Sequence, residues 1–183
     1  MPGSNRSYQV SVIIPVYNMG GYIGECIESI LKGDFEAVEV VVVDDGSTDR
    51  TESIVKRCAE EGRGKYGARV TYVYQDNAGK SCAVNHGFSV AQGDYLTIVD
   101  ADDQITSHSI VSRYEAVREH GGGDCEMVDG AFEGFDRDRT YGVRTPPATG
   151  DPQRLHDQFY LRWKTPFHLN AALFSRSLIE RVG

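Results

Sequence analysis

No stretch of this 183-residue chain approaches the roughly 20 consecutive apolar residues that cross a bilayer, so no membrane span is expected. Basic charge is also short. The 19 Lys and Arg residues stand against 27 Asp and Glu, a net charge of −8. That balance argues against a nucleic-acid or anionic-membrane binder, which presents a basic face, but it leaves room for a small basic pocket. Cysteine is sparse and scattered. Cys26, Cys58, Cys82 and Cys125 form no metal-type pair. Three of them fall on apolar faces of predicted helices, and all four read as reduced packing residues of a cytoplasmic protein. The segment Met1-Pro2-Gly3-Ser4-Asn5-Arg6 has no signal-peptide apolar region, and no internal repeat is visible. Hydrophobic content of 40% and charged content of 25% suit one soluble domain with its own core.

What is present is alternation. Residues 1–9 read as a loose tail. Val10 to Val16 is a nearly all-apolar run, as in a parallel strand covered on both faces. Pro15 is expected to end its ladder pairing, leaving Val16-Tyr17-Asn18 as a loop. Ile23, Cys26, Ile27, Ile30 and Leu31 make a helical stripe stopped by Gly33. Val38 to Val43 is a second strand. Asp49 and Glu52 are placed to form a capping box for a helix that buries Ile54, Val55, Cys58 and Ala59 and stops at Gly62. Val70 to Tyr74 is the third strand, followed by a helix with the stripe Ala83, Val84, Gly87, Phe88 and Ala91. Gly93 to Ile98 is the fourth strand. A helix from about Thr106 to His120 then buries Ile110, Val111, Tyr114 and Val117. This order predicts a mostly parallel α/β sheet with right-handed crossovers and helices on both faces.

Beyond Gly123 the pattern weakens. Cys125 to Val128 reads as a strand that pairs with Ala131 to Phe135. Asp136 to Gly150 reads as a mobile loop. Asp151-Pro152 opens a helix toward Trp163, Asn170 to Phe174 is strand-like, and Ser177 to Val182 is helical.

Parallel strands deliver their exits to one edge, where open α/β sheets bind ligands. The exits here are Pro15-Val16-Tyr17-Asn18, Asp44-Asp45-Gly46-Ser47, Asn77-Ala78-Gly79 and Asp100-Ala101-Asp102-Asp103. Each alone reads as a turn; four on one edge point to a ligand cleft. Asp103 is placed to cap the next helix. Asp100 and Asp102 can reach one hard cation, Mg²⁺ or Mn²⁺, which brings phosphate oxygens with it. Crowded carboxylates without a cation repel one another.

The segments Ser11 to Asn18, Val43 to Asp49, Asn77-Ala78-Gly79 with Ala83 and Asn85, and Gly93 to Leu96 running into Asp100 to Asp103 together resemble family 2 glycosyltransferases. The match covers Val10 to Asp103, with a looser match at the end. The resemblance implies the GT-A nucleotide-diphospho-sugar transferase fold. Residues 10–103 would be its nucleotide-sugar-binding part and 104–183 a partial acceptor side. It implies that Pro15, Val16 and Tyr17 line the base pocket, and that Asp45, with or without Asp44, accepts a hydrogen bond from the base, most often uracil. Ser47 would lie nearby, with Asn77 and Gly79 near the nucleotide or its phosphates. Lys80, from its charge, reads equally as a phosphate contact or a solvated side chain. Asp100, with Ala101 beside it, would contact the ribose or a metal-bound water, and Asp102 would ligate a divalent cation bridging the phosphates. Val84 departs from the family pattern, which often has a basic residue before the asparagine.

Members of the family invert the anomeric carbon, with a carboxylate base that takes the proton of the acceptor hydroxyl. That base is expected beyond Gly183, so the chain reads as truncated before it. Asp124, Glu126 and Asp129 come too early and suit solvated or loop-capping roles. His168 could face the acceptor, but a lone histidine next to aromatics is more often a packing residue; Trp163 could stack on a sugar and reads at least equally as a core residue. The expected function is metal-dependent transfer from a nucleoside diphosphate sugar, UDP-linked by preference, to a carbohydrate, lipid-linked or small-molecule hydroxyl. The alternative is a nucleotide-sugar-binding module without transfer. A sugar nucleotidyltransferase would need a basic glycine-rich loop after the first strand, and an aspartyl phosphatase would need its paired aspartates there. Val16 to Gly21 supplies neither.

Overall fold

Runs of β-branched and other apolar residues build the centre of the sheet because such side chains pack on a pleated surface covered from both sides. The structure, a computed structural model, describes residues 8–66, 69–119, 127–135, 140–144 and 172–182. Its elements run β1 (Val10–Val16), α1 (Ile23–Leu31), β2 (Val38–Asp44), α2 (Thr51–Tyr66), β3 (Arg69–Tyr74), α3 (Lys80–Val90), β4 (Tyr95–Ile98), α4 (Ser109–Glu119), β5 (Met127–Val128), β6 (Phe132–Phe135), β7 (Thr140–Arg144), β8 (Leu173–Ser175) and α5 (Arg176–Val182). One six-stranded sheet has the order β3-β2-β1-β4-β8-β5. The first four strands are parallel, and β8 is antiparallel to β4 and β5.

Alternate residues of β1 feed two cores. Val10, Val12, Ile14 and Val16 pack with Ile23, Ile27 and Ile30 of α1, Val55 of α2 and Ile110 of α4. Ile13 packs on the other face with Val41, Val43, Leu96 and Ala83 of α3. The expected α1 stripe is buried in full.

Several local expectations give way to packing. β1 runs through Pro15, which stands opposite Val43. Val16 O accepts from Asp45 N and Ile13 O from Val99 N, so the missing Pro15 N–H points to the β4 side. There β4 has already ended at Ile98, paired with Ile13. Gly62 does not stop α2, which continues to Tyr66. A Cβ on Gly62 would come within 2.8 Å of Leu31 Cδ1, so this glycine serves close helix packing. Glu52 pairs with Lys56 at 2.6 Å rather than closing a capping box, and Asp49 alone caps α2 through Thr51 N at 2.9 Å. Asp103 closes a turn on Asp100 O at 2.9 Å, and α4 starts only at Ser109.

On α4 the buried positions are Ile110, Arg113 and Val117, with Val111 half-buried. Arg113 reaches Ser109 Oγ at 2.7 Å and Thr97 Oγ1 at 3.4 Å. Burial pushes its pKa down to about 10, opposed by the nearby charge of Asp129. The strand partners also differ. β5 pairs with β8, and β6 pairs with β7 in a separate two-stranded sheet. Thr140 to Arg144 is therefore strand rather than loop. Cys26 is buried, but Cys82 is exposed, since α3 buries Ala83, Val84 and Gly87 instead. The expected Asp151–Trp163 helix, Cys125, Asp124, Glu126, Trp163, His168 and tail residues 1–7 lie outside the described residues. Gln9 already bonds to Ala37 O at 2.9 Å.

Candidate active site

The order β3-β2-β1-β4 brings four strand exits side by side at one edge. Each is tied to its neighbour. Asp45 N donates to Val16 O at 2.8 Å, and Gln75 N to Asp44 O at 2.9 Å. Asn18 takes a positive φ of 52°, which asparagine tolerates better than most residues. From there its N–H reaches Ser47 Oγ at 2.9 Å, and its Oδ1 accepts Thr48 N at 2.8 Å. Gly20 N donates to Asp49 Oδ2 at 2.9 Å. Gly46 has φ 83°, and a Cβ there would lie 2.9 Å from Asn77 N, so a side chain is excluded twice over.

The adjacent Asp44 and Asp45 do different work. Asp44 Oδ1 accepts Ser47 N at 2.7 Å and Oδ2 accepts the Tyr72 hydroxyl at 2.8 Å. Burial, then this hydrogen bond, raises the Tyr72 pKa above its ordinary value. Asp44 thus shapes the turn from below. Asp45, only 4% exposed, gathers the β3 exit. Its Oδ1 accepts Gln75 Nε2 at 2.7 Å and Ala78 N at 2.8 Å, its Oδ2 accepts Gly79 N at 2.8 Å, and its carbonyl accepts Asn77 Nδ2 at 2.9 Å. Burial pushes the Asp45 carboxyl up, but the donors from Ala78, Gln75 and Gly79 outweigh it and hold the pKa below the usual carboxylate value. Gln75 also contacts His86 Nδ1 through Oε1 at 2.9 Å. With its amide nitrogen committed to the carboxylate, Gln75 must accept there, so His86 Nδ1 carries the proton. The sequence pattern gives Gln75 and His86 no role and takes Asn18 only as the end of the first strand exit. The only available hints were a polar residue directly after β3 and an asparagine directly before a helix-bound loop.

Pro15 and Val16 are buried beneath this edge, and Tyr17 is 49% exposed beside it. On the β4 side Ala101 is buried, Asp100 half-buried and Asp102 exposed. Lys80 Nζ lies 2.5 Å from Asp100 Oδ1, linking the β3 and β4 exits. Cys26 Sγ contacts Asp100 O at 3.5 Å. Burial pushes its thiol up to about 12, with Asp103, Asp102 and Asp100 adding to the rise, so it stays a protonated packing group. Among the described residues no three His, Cys, Asp or Glu side chains converge to hold a metal. Asp100 and Asp102 carry hard oxygen donors of the kind that would suit a cation held by one or two carboxylates and shared with phosphates. A cavity of about 530 Å³ between α1 and α2, lined by residues such as Gly24, Arg57 and Cys58, includes none of these groups.

Asp45 and Asp49 set the acid limit of this edge. The Thr51 hydroxyl, against burial and with Gly20 N–H, lowers the Asp49 pKa. A depressed carboxylate releases its proton on folding. Its stabilisation is therefore full above the unfolded value of about 3.9 and is lost as pH falls through the folded value. Urea midpoints should be flat from about pH 7 to 5 and fall below about pH 4. Thr51→Val removes a donor to Asp49, so its deficit against wild type should shrink as pH falls through that window; parallel curves would contradict the assignment.

Comparison with known proteins agrees with this geometry. The family described as glycosyl transferase family 2 matches residues 11–183. Glycosyltransferase GlyG of Streptococcus pneumoniae is 38% identical over 128 residues, 69% of this chain and 40% of that one. An uncharacterized glycosyltransferase of Nostoc, alr2836, is 30% identical over 182 residues, 95% of this chain and 53% of its own. Staphylococcus aureus TarS 1–349 in complex with UDP-GlcNAc superposes with a TM-score of 0.71 at 26% identity, covering 95% of this chain and 47% of that 1–349 chain. A mannosyltransferase of Pyrobaculum calidifontis in complex with GDP-Man and Mn²⁺ gives 0.69 at 26% identity, covering 98% and 48%. The chain thus spans about half or less of the length of these relatives. Its sheet order, its strand exits and these matches agree on the GT-A fold, and the chain belongs to glycosyl transferase family 2.

Proposed function

We propose that this chain forms the donor side of a glycosyltransferase that uses a nucleoside diphosphate sugar, UDP-linked by preference. The protein to which it belongs would transfer the sugar with inversion to a hydroxyl of a carbohydrate, a lipid-linked sugar or a small molecule. The observation that carries this is the Asp45 cluster. One buried carboxylate at the β2 exit organises the β3 exit, and the β1 exit with Tyr17 and then the β4 exit with Asp100 and Asp102 follow along the same edge. Asp45 would accept the imide N–H of the base, with Pro15, Val16 and Tyr17 against its ring, and Ser47 and Asn77 keeping the loops in register. Gly79 and Lys80 would face the phosphates, and Asp100 the ribose or the metal and its bound water.

Asp102 and Asp100 would hold Mg²⁺ or Mn²⁺. When bound, the cation supplies charge neutralisation on the departing diphosphate. Among the described residues no helix is long and apolar enough to cross a membrane, and a nucleotide-sugar donor fits a cytoplasmic site.

Isothermal titration with UDP tests this. Mn²⁺ should tighten UDP by about tenfold or more through charge-assisted contacts, and Asp102→Ala should return the affinity to the metal-free level. Metal-independent binding in the wild type, or an unaltered metal effect in Asp102→Ala, would refute the assignment.

A further inference from the structure

Resting on that donor-and-metal reading, we propose that Lys80 is a built-in stand-in for the cation: its ammonium occupies Asp100 until a divalent cation displaces it, and it then turns to the donor diphosphate. The contact itself is the first ground. Lys80 Nζ sits 2.5 Å from Asp100 Oδ1, on a carboxylate that the donor site would use, with the side chains 53% and 30% exposed. A pair this open to water is held weakly and opens readily.

The second ground is position. Lys80 is the first residue of α3, whose first turn holds no acidic residue. A cation there opposes the helix dipole and needs an anion close by. Asp100 provides it here, and a diphosphate would provide it in the loaded site. The third ground is anchorage. Ala78 N and Gly79 N are both fixed on Asp45 at 2.8 Å, so the backbone leading into Lys80 stays put and only a flexible four-carbon stem has to swing. A lysine at this point also offsets the crowding of Asp100, Asp102 and Asp103. Metal and lysine are therefore rivals for Asp100 in the empty site and allies on the phosphates in the full one.

The test is Mn²⁺ titration without nucleotide, then UDP titration in saturating Mn²⁺, on wild type, Lys80→Met, Lys80→Arg and Asp102→Ala, with thermal melts to check folding. Lys80→Met should bind Mn²⁺ about fivefold tighter without nucleotide, since a repelling neighbour is gone. It should bind UDP about tenfold more weakly with the metal, since a phosphate contact is lost. Lys80→Arg should keep the wild-type pattern. If Lys80→Met binds Mn²⁺ no tighter than wild type while Asp102→Ala loses it, the stand-in role is wrong and the metal reading stands. If wild type takes up no Mn²⁺ even with UDP, the donor-and-metal reading falls and this inference with it.

Discussion

Asp45→Ala is expected to lower UDP affinity by at least about 100-fold and to destabilise the fold by about 3 kcal/mol. Two separate physical effects combine. The carboxylate is 4% exposed and takes hydrogen bonds from Ala78 N, Gly79 N and the Gln75 amide. Alanine leaves those donors without their acceptor, and each buried orphan costs about 1–3 kcal/mol unless water reaches it. The same bonds hold the β3 exit against the β2 exit, so their loss loosens the loop that carries Asn77, Gly79 and Lys80. The binding loss follows from the missing acceptor for the base, a hydrogen bond to a charged group of about 1.5–3 kcal/mol, and from the disordered cradle. Asp45→Asn separates the two. It keeps the shape and one good acceptor, so urea unfolding should show a smaller stability loss, yet calorimetry should still show UDP weakened about tenfold or more. An asparagine variant that binds UDP like wild type would remove Asp45 from the base-reading role.

Gly93→Ala should be the most damaging small change away from the ligand edge, costing about 3 kcal/mol and lowering the melting temperature by roughly 6–12 °C. An added Cβ would lie 2.7 Å from both Ser11 N and Ser11 Oγ, and 2.8 Å from Val10 C. These atoms belong to the central strand, which cannot retreat. The clash also falls on a buried polar network. Gly93 N donates to Ser11 Oγ at 2.8 Å, and Ser11 Oγ donates to Glu39 Oε1 at 2.7 Å. Gln92 N also donates to Glu39 Oε1. Arg176 closes the far side with Nε on Gly93 O at 2.8 Å and Nη2 on Ala91 O at 3.0 Å. Glu39 is 1% exposed, so any shift that breaks this network strands a buried carboxylate. Gly93 sits at the amino end of β4, opposite the exits, so UDP affinity of the folded fraction at low temperature should be unchanged. Gly21→Ala is the control: its Cβ meets nothing within 4 Å, and melting should barely move. Equal losses in the two variants would mean that contact with Ser11 is not the cause.

Much of the fold was legible because burial leaves a periodic trace. The unbroken apolar runs of β1 and β2 announced parallel strands covered on both faces, and the α1 stripe marked the face that is buried. The trace fails where the partner is remote. β8 joins the sheet between β4 and β5, and nothing near Leu173 in sequence says so. Arg113 looks like a surface residue of an amphipathic helix until Thr97 and Ser109 are found around its guanidinium.

The sequence by itself determined the alternation of strands and helices, the single edge that collects the strand exits, and the family, because each depends on local spacing and on order along the chain. The family resemblance put Asp45 ahead of Asp44, but residue type and spacing alone do not separate two identical side chains in adjacent positions. Only the tertiary structure turns one toward Tyr72 and Ser47 and the other toward Gln75, Ala78 and Gly79. It likewise decides that Gly62 admits Leu31 rather than ending a helix and that Pro15 stays inside its strand. The reason is common to all of them. A residue's role at a crowded point is set by which hydrogen-bond partners and which atoms arrive from distant parts of the chain.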